Sequence, residues 1–149
     1  DCSVNILPRV TESTIVKLTM KLSIAVFGAP HSSQASESAF RFASACLDKG
    51  HEVPRVFFYH DGVHNASELA VPPQDETQHL NRWQTLAKRG DIDLVVCVAA
   101  ALRRGIVNRE EASRYDLVHH NLADGFEISG LGQLLDAAVS SDRLITFGR

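Results

Sequence analysis

Three cysteines are the chain's candidates for nucleophilic chemistry, and their surroundings separate them. Cys2, Cys46 and Cys97 are odd in number and widely spaced, and none belongs to a CxxC pair. A disulfide framework or a cysteine-rich zinc site is therefore not expected. Cys46 shares a helical apolar face with Ala39 and Ala43, where a free thiol behaves as a small hydrophobic residue. Because Cys2 falls in an atypical N-terminal stretch, Cys97 remains as the candidate reactive thiol.

Cys97 stands where a buried strand gives way to an alanine-rich helix start. The pattern predicts a strand over residues 92–98 and a helix over 99–104, which carries Ala99, Arg103 and Arg104. Amides at a helix N-terminus and nearby cations stabilise a thiolate, the reactive form of cysteine. From the residues alone two interpretations stay open: an inert core cysteine, or a nucleophile at the mouth of an α/β sheet.

The elements around Cys97 alternate between strands and helices. No hairpin signal interrupts them, so the sequence predicts an α/β fold: three layers, α/β/α, with a mainly parallel sheet of about five strands, flavodoxin-like in outline. Predicted strands cover 21–27, 53–59, 92–98, 126–128 and 143–147; predicted helices cover 34–49, 76–89, 99–104, 109–115 and 129–139, with Ser33 and Ser129 as caps.

Three loops are expected to meet at one edge of this sheet. They are residues 28–33, 60–65 and 97–104, which follow the first, second and third strands. Ligands of open α/β sheets bind beyond the carboxyl ends of the strands. The candidate supporting residues for Cys97 are therefore Ala99, Arg103, Arg104 and His60.

Other site types are poorly supported. His60 and His64 are four residues apart, but no third ligand is in view, so no metal is expected. Gly130-Leu-Gly132 lacks the third glycine of a dinucleotide fingerprint, and residues 28–33 lack the GK[ST] of a phosphate loop. No cofactor is predicted.

Length and composition indicate one ordinary globular domain. We predict that residues 20–149 form that domain and that residues 1–19 are a non-native or disordered extension before Met20. The net charge of −3, without a basic cluster, argues against direct nucleic-acid binding. No apolar run approaches the roughly 18 residues of a membrane span. No secretion signal is recognisable, so a cytoplasmic location is expected.

From Met20 onward the chain resembles the TusD/DsrE family of sulfur-relay sulfurtransferase subunits, whose DsrEFH-like fold agrees with the prediction above. Three stretches carry the resemblance: Val56-Phe-Phe-Tyr-His-Asp-Gly-Val63, Val96-Cys-Val-Ala-Ala-Ala-Leu-Arg-Arg-Gly-Ile106 and Ile128-Ser-Gly-Leu-Gly-Gln-Leu134. The resemblance implies that Cys97 accepts sulfane sulfur as a persulfide and hands it on.

The resemblance also implies partners and a pathway. It implies two homologous small subunits in a heterohexamer with two copies of each of three chains, an upstream sulfur-donor protein and a downstream sulfur-acceptor protein. In one branch the sulfur ends in 2-thiouridine of tRNA, which we favour. Three alternatives remain: the equivalent subunit of a dissimilatory sulfur-oxidation complex, a non-catalytic scaffold subunit, or an anion- or nucleotide-binding module that uses residues 28–33.

Overall fold

Five strands form one parallel sheet, as the alternation of elements predicts. The structure is a computed structural model that describes residues 18–148, so Cys2 and nearly all of the predicted extension lie outside the described residues. The strands are β1 (Leu22–Val26), β2 (Arg55–Phe58), β3 (Asp93–Cys97), β4 (Phe126–Ser129) and β5 (Arg143–Phe147), in the order β4-β3-β2-β1-β5.

Helices cover both faces of this sheet. They are α1 (Ala35–Asp48), α2 (His79–Gly90), α3 (Val98–Arg103), α4 (Arg109–Arg114) and α5 (Gly132–Ser140), with a 3₁₀ helix at His60–Ala66. From β1 to β4 each strand joins the sheet beside its predecessor, whereas β5 returns to pair with β1. Because parallel crossovers are right-handed, this reversal puts α5 on the face opposite α1 and α2. The predicted three-layer α/β fold is confirmed.

A cluster of aromatic side chains packs between the sheet and the helices α1 and α2. Trp83 of α2 is fully buried and makes edge-to-face contacts with Phe58 and Phe40, each with ring centroids 5.4 Å apart. All five residues of β1 are buried. Burial on both faces explains why the strand shows so little polar alternation in the sequence. No helix between residues 18 and 148 is long and apolar enough to cross a membrane.

Several local predictions differ from the structure. The predicted loop 60–65 is a 3₁₀ helix, because the Gly62 amide donates to the carbonyl oxygens of Phe27 and Tyr59 at 3.1 and 2.9 Å. The helix predicted from residue 76 begins at His79, because the Glu76 amide closes a turn onto the Pro73 carbonyl.

The third difference concerns Ser129. It does not cap a helix but ends β4, and α5 begins three residues later at Gly132. Ser129 pairs with Cys97 in the parallel β3–β4 ladder, so its backbone belongs to the sheet. Ser33 is not the helix cap either, because the N-cap of α1 is Gln34; the Ser33 hydroxyl instead accepts a hydrogen bond from the Ala35 amide at 3.1 Å in the turn before the helix.

Candidate functional site

Cys97 lies at the junction between a central strand and a short helix. It is the last residue of β3 and the N-cap of α3, with extended backbone angles (φ −63°, ψ 120°). The apolar run Leu94–Val96 forms the buried strand, and the following alanines favour the helix. The sequence therefore places one thiol at the carboxyl edge of the sheet, where this fold builds its sites.

The thiol of Cys97 is shielded within the single chain. Cys97 is 2% exposed, and Ala100 and Ala101 behind it are buried. Ala99, in contrast, is exposed, so the first turn of α3 reaches the surface two residues from Cys97. A reactant would therefore reach the thiol only as a slender group or after local opening of this turn.

Arg104 ties α3 to the 3₁₀ helix. Its Nε donates to Asp61 Oδ1 at 2.9 Å, and one of its terminal nitrogens donates to the Ala100 carbonyl at 3.2 Å. About a quarter of the Arg104 side chain is exposed, against more than half of the Asp61 side chain. The guanidinium charge is thus paired with a carboxylate, and Arg104 holds the helix that begins at Cys97.

Arg103 has different neighbours, although it is adjacent in sequence. Its side chain is exposed and lines an apolar groove of about 660 Å³ at the C-terminal end of α3, together with Leu102, Tyr115 and Val118. We call this the α3 groove; its lining comprises Leu69, Leu102, Arg103, Gly105, Val107, Tyr115, Leu117, Val118, His119, His120 and Asn121. The two predicted supporting arginines therefore act in separate surroundings.

His60 lies on the loop after β2 and borders a polar cavity. It has a left-handed backbone (φ 47°), and its ring packs against Tyr59 and Phe27 with centroids 4.2 and 5.3 Å away. The cavity, of about 460 Å³, is also lined by Ser33 and His64. His60 thus belongs to the same sheet edge as Cys97 but faces a cavity built by the loops after β1 and β2.

Close backbone packing brings these loops together. A Cβ on Gly62 would lie 2.1 Å from the Val26 carbonyl oxygen, so only glycine allows the 3₁₀ helix to rest on the end of β1. The Arg104–Asp61 pair then connects the loop after β3. The predicted convergence of the three loops is confirmed, with the 3₁₀ helix as the central element.

A buried amide was missed by the sequence analysis. Asn65 is 2% exposed; its Nδ2 donates to Ser36 Oγ and to the Gly62 carbonyl, each at 2.8 Å, and its Oδ1 accepts from Trp83 Nε1 at 3.2 Å. Ser36 in turn donates to the Gly28 carbonyl. Asn65 therefore joins the loops after β1 and β2 to the core. The sequence gives no signal for this role, because Asn65 is one polar residue among several in a predicted loop.

Cys46 is the second thiol in the described part of the chain, and its predicted core position is confirmed. It lies in α1, is 5% exposed, and burial raises the pKa of its thiol. A higher pKa lowers the thiolate fraction at neutral pH, which makes Cys46 a poor nucleophile.

Residues 18–148 offer no arrangement of side chains suited to a metal ion. No group of three or more histidine, cysteine, aspartate or glutamate side chains in this range is arranged to hold a metal ion. His60 and His64 border the polar cavity, but that pair alone does not make a metal site.

Comparison with known proteins assigns the chain to a family. The DsrE/DsrF-like family matches residues 20–147. The chain belongs to this family. The resemblance drawn from the three sequence stretches is therefore confirmed.

Relatives match along nearly their whole length. The DsrE protein of Allochromatium vinosum is 54% identical over 129 residues, which cover 87% of this chain and 99% of the relative. The sulfurtransferase TusD homologs of Pseudomonas aeruginosa and Vibrio vulnificus are 53% and 49% identical, each over 87% of this chain and 98% of the relative.

A solved structure supports the fold alone. The crystal structure of the YchN protein from E. coli aligns with a TM-score of 0.69 at 21% sequence identity, covering 87% of this chain and all of that one. The two chains therefore share an α/β fold.

Proposed function

We propose that this protein is a sulfurtransferase subunit of a sulfur relay and that Cys97 carries the sulfur as a persulfide. The observation that carries the proposal is the position of Cys97 at the β3–α3 junction, on the edge where three loops meet. The sulfurtransferase names of relatives at about half identity support the same activity.

The chemistry needs two exchanges and no external oxidant. The Cys97 thiolate attacks the outer sulfur of a donor persulfide, forms a new S–S bond, and releases the donor as a thiolate. An acceptor thiolate then attacks the terminal sulfur held on Cys97, and Cys97 leaves as a thiolate. One sulfane sulfur moves in each step, so electrons balance without a cofactor.

The setting of Cys97 suits a carrier. Cys46, the other thiol in residues 18–148, lies in the core, so no resolving cysteine is at hand to collapse the persulfide into a disulfide. The exposed first turn of α3 would also give a slender donor or acceptor group a route to the sulfur. These two features support storage and directed release over self-contained redox chemistry.

We further propose the wider context that the family implies. The chain would act in the cytoplasm, in a heterohexamer with two homologous small subunits, between a sulfur-donor and a sulfur-acceptor protein. We favour 2-thiouridine formation in tRNA as the pathway, because several relatives carry the name TusD. Dissimilatory sulfur oxidation is the alternative, which the similarity to the Allochromatium vinosum DsrE protein favours.

Intact-mass spectrometry tests the carrier role. After incubation with polysulfide and removal of excess reagent, the wild-type protein should gain the mass of one sulfur atom, and Cys97→Ser should not. Cys46→Ser, the matched control, should keep the gain. A wild type without the gain, or a gain that survives Cys97→Ser, would contradict Cys97 as the carrier; absence of the gain would favour a non-catalytic scaffold subunit.

A further inference from the structure

The Cys97 side chain points to the face of the sheet opposite α1 and α2. Side chains alternate between the two faces along a strand, and partners in a parallel ladder share a face. Phe58 packs on Trp83 of α2 with ring centroids 5.4 Å apart, so Phe57 points the other way. Phe57 is the partner of Val95 in β3. Val95 and, two residues later, Cys97 therefore point towards the α5 side.

Ser129 is the neighbour of Cys97 on the adjacent strand β4. The two residues are Cα partners at the carboxyl end of the parallel ladder, so their side chains leave the same face from backbones about 4.8 Å apart. Among residues 18–148, no group forms a hydrogen bond with the Ser129 hydroxyl. A hydroxyl that is free to donate therefore lies beside the thiol, one strand away.

The hydroxyl on the other side of Cys97 is directed elsewhere. Tyr59 directly follows β2, and its ring packs against Phe27, which follows β1, with centroids 5.5 Å apart. The ring also packs against His60 at 4.2 Å, and His60 itself contacts Phe27. These contacts hold the Tyr59 ring on the β1 side of β2, away from β3. Of the two hydroxyls, Ser129 is therefore the one placed beside Cys97.

Space for an added sulfur lies on the Ser129 side. Ser129 is half-buried, whereas Cys97 is 2% exposed. A Cβ added at Gly130 would meet no atom within 4 Å, so the backbone after Ser129 borders open space. A sulfur bound to Cys97 extends the side chain by about 2 Å, the length of an S–S bond. Rotation of the extended side chain towards β4 brings the outer sulfur to the Ser129 hydroxyl and nearer to the surface.

We propose that Ser129 binds the sulfur that Cys97 carries, by donating a hydrogen bond from its hydroxyl to the outer sulfur of the Cys97 persulfide. The free thiol is too short to make this contact, so Ser129 acts on the loaded state alone. This inference rests on the proposed function, because it concerns the sulfur that Cys97 would carry.

The hydrogen bond favours the persulfide anion. The outer sulfur carries the negative charge, and a donor to the charged form lowers the pKa of the group. In delivery an acceptor thiolate attacks this outer sulfur, the bond to Cys97 breaks, and its electron pair leaves with the Cys97 sulfur. Ser129 keeps its proton throughout, so it holds and orients the sulfur without acting as an acid or a base.

Alkylation of the loaded protein over a range of pH tests the hydrogen bond. The full-length wild type is loaded with polysulfide, freed of excess reagent and treated with iodoacetamide at a series of pH values. Peptide-resolved mass spectrometry gives the alkylation rate of the Cys97 persulfide, and the pH midpoint of that rate is the persulfide pKa. In Ser129→Ala the midpoint should rise by about one pH unit, a tenfold change in the ionisation constant, since a hydrogen bond to a charged group is lost.

Two further variants and the unloaded protein serve as controls. Ser129→Thr should restore the wild-type midpoint, because it keeps a hydroxyl on the same Cβ. Tyr59→Phe, which removes only the hydroxyl on the other side of Cys97, should leave the midpoint unchanged. The alkylation midpoint of the unloaded Cys97 thiol should be the same in the wild type and in Ser129→Ala, because the hydroxyl bonds only to the added sulfur.

The outcomes separate this inference from the proposed function. A wild type that loads sulfur on Cys97 but has the same persulfide midpoint as Ser129→Ala keeps its function and overturns the role of Ser129. An equal shift of the persulfide and the unloaded thiol, or a shift with Tyr59→Phe in place of Ser129→Ala, would also overturn it. A wild type that takes up no sulfur on Cys97 removes the proposed function and, with it, this inference.

Discussion

Cys97 and Cys46 are almost equally buried, at 2% and 5% exposure, yet they lie in different parts of the molecule. Cys46 sits within a fourteen-residue helix packed on the sheet, whereas Cys97 ends a strand and starts a six-residue helix among loops. Burial alone therefore does not separate an inert thiol from a carrier. The distinguishing property is how much structure must open before a reactant can reach the sulfur.

Alkylation of the native protein tests whether the Cys97 and Cys46 thiols differ in accessibility. With iodoacetamide, Cys97 should react about a hundredfold faster than Cys46, because opening one short turn costs less free energy than detaching a packed helix. Peptide-resolved mass spectrometry of timed samples measures both rates. In guanidinium chloride the two rates should converge, and equal rates in the native state would remove the distinction.

Asn65 connects the two regions, since it bonds to Ser36 on the first turn of α1 and to the 3₁₀ helix beside α3. Asn65→Ala should lower the free energy of unfolding by about 2 kcal/mol, because it leaves buried donors such as Trp83 Nε1 unpaired. Urea unfolding measures the change. Asn81→Ala, at an exposed amide on α2, is the control and should change stability by less than about 0.5 kcal/mol.

The fold and the position of Cys97 were accessible from the sequence for a physical reason. Strands buried on both faces, such as β1 and β3, leave continuous apolar runs, and a following alanine-rich segment marks a helix start. These are local signals. They sufficed to place Cys97 at the carboxyl edge of the sheet.

Tertiary pairings were not accessible in the same way. Arg103 and Arg104 are adjacent on one helix, and only the position of Asp61, 43 residues earlier than Arg104, decides which of them pairs there. The bond between Asn65 and Trp83 spans 18 residues and joins two elements whose packing no local pattern encodes. The α3 groove likewise depends on Asn121 bonding to residues 105 and 107.

The Arg104–Asp61 pair should matter more for Cys97 than for global stability. A double-mutant cycle with Arg104→Gln and Asp61→Asn should give a coupling free energy of about 0.5 kcal/mol, since the carboxylate is largely solvated. The alkylation rate of Cys97 should rise in each single variant while that of Cys46 stays constant. If the coupling free energy is measurable but the alkylation rate of Cys97 does not change, the pair contributes only to the stability of the whole fold.

The free energy of unfolding should also depend on pH through His79 of α2. This is the smallest of the expected effects. Burial, with His31 and Arg82 nearby, lowers the pKa of His79, while Glu37 acts in the opposite direction. The unfolded chain therefore binds a proton more readily below about pH 6.5, so the free energy of unfolding should fall as the pH drops through that value. In His79→Gln this part of the fall should disappear. A wild type whose stability is constant between about pH 7.5 and pH 5.5 would contradict it.

We expect sulfur to reside on Cys97 and not on the almost equally buried Cys46. The most direct measurement is to load the wild-type chain with polysulfide, trap persulfides with an alkylating reagent, digest, and assign the added sulfur by tandem mass spectrometry. The additional sulfur should be found on the peptide that contains Cys97, and none on the peptide that contains Cys46. Sulfur on Cys46, or shared equally between the two, would contradict it.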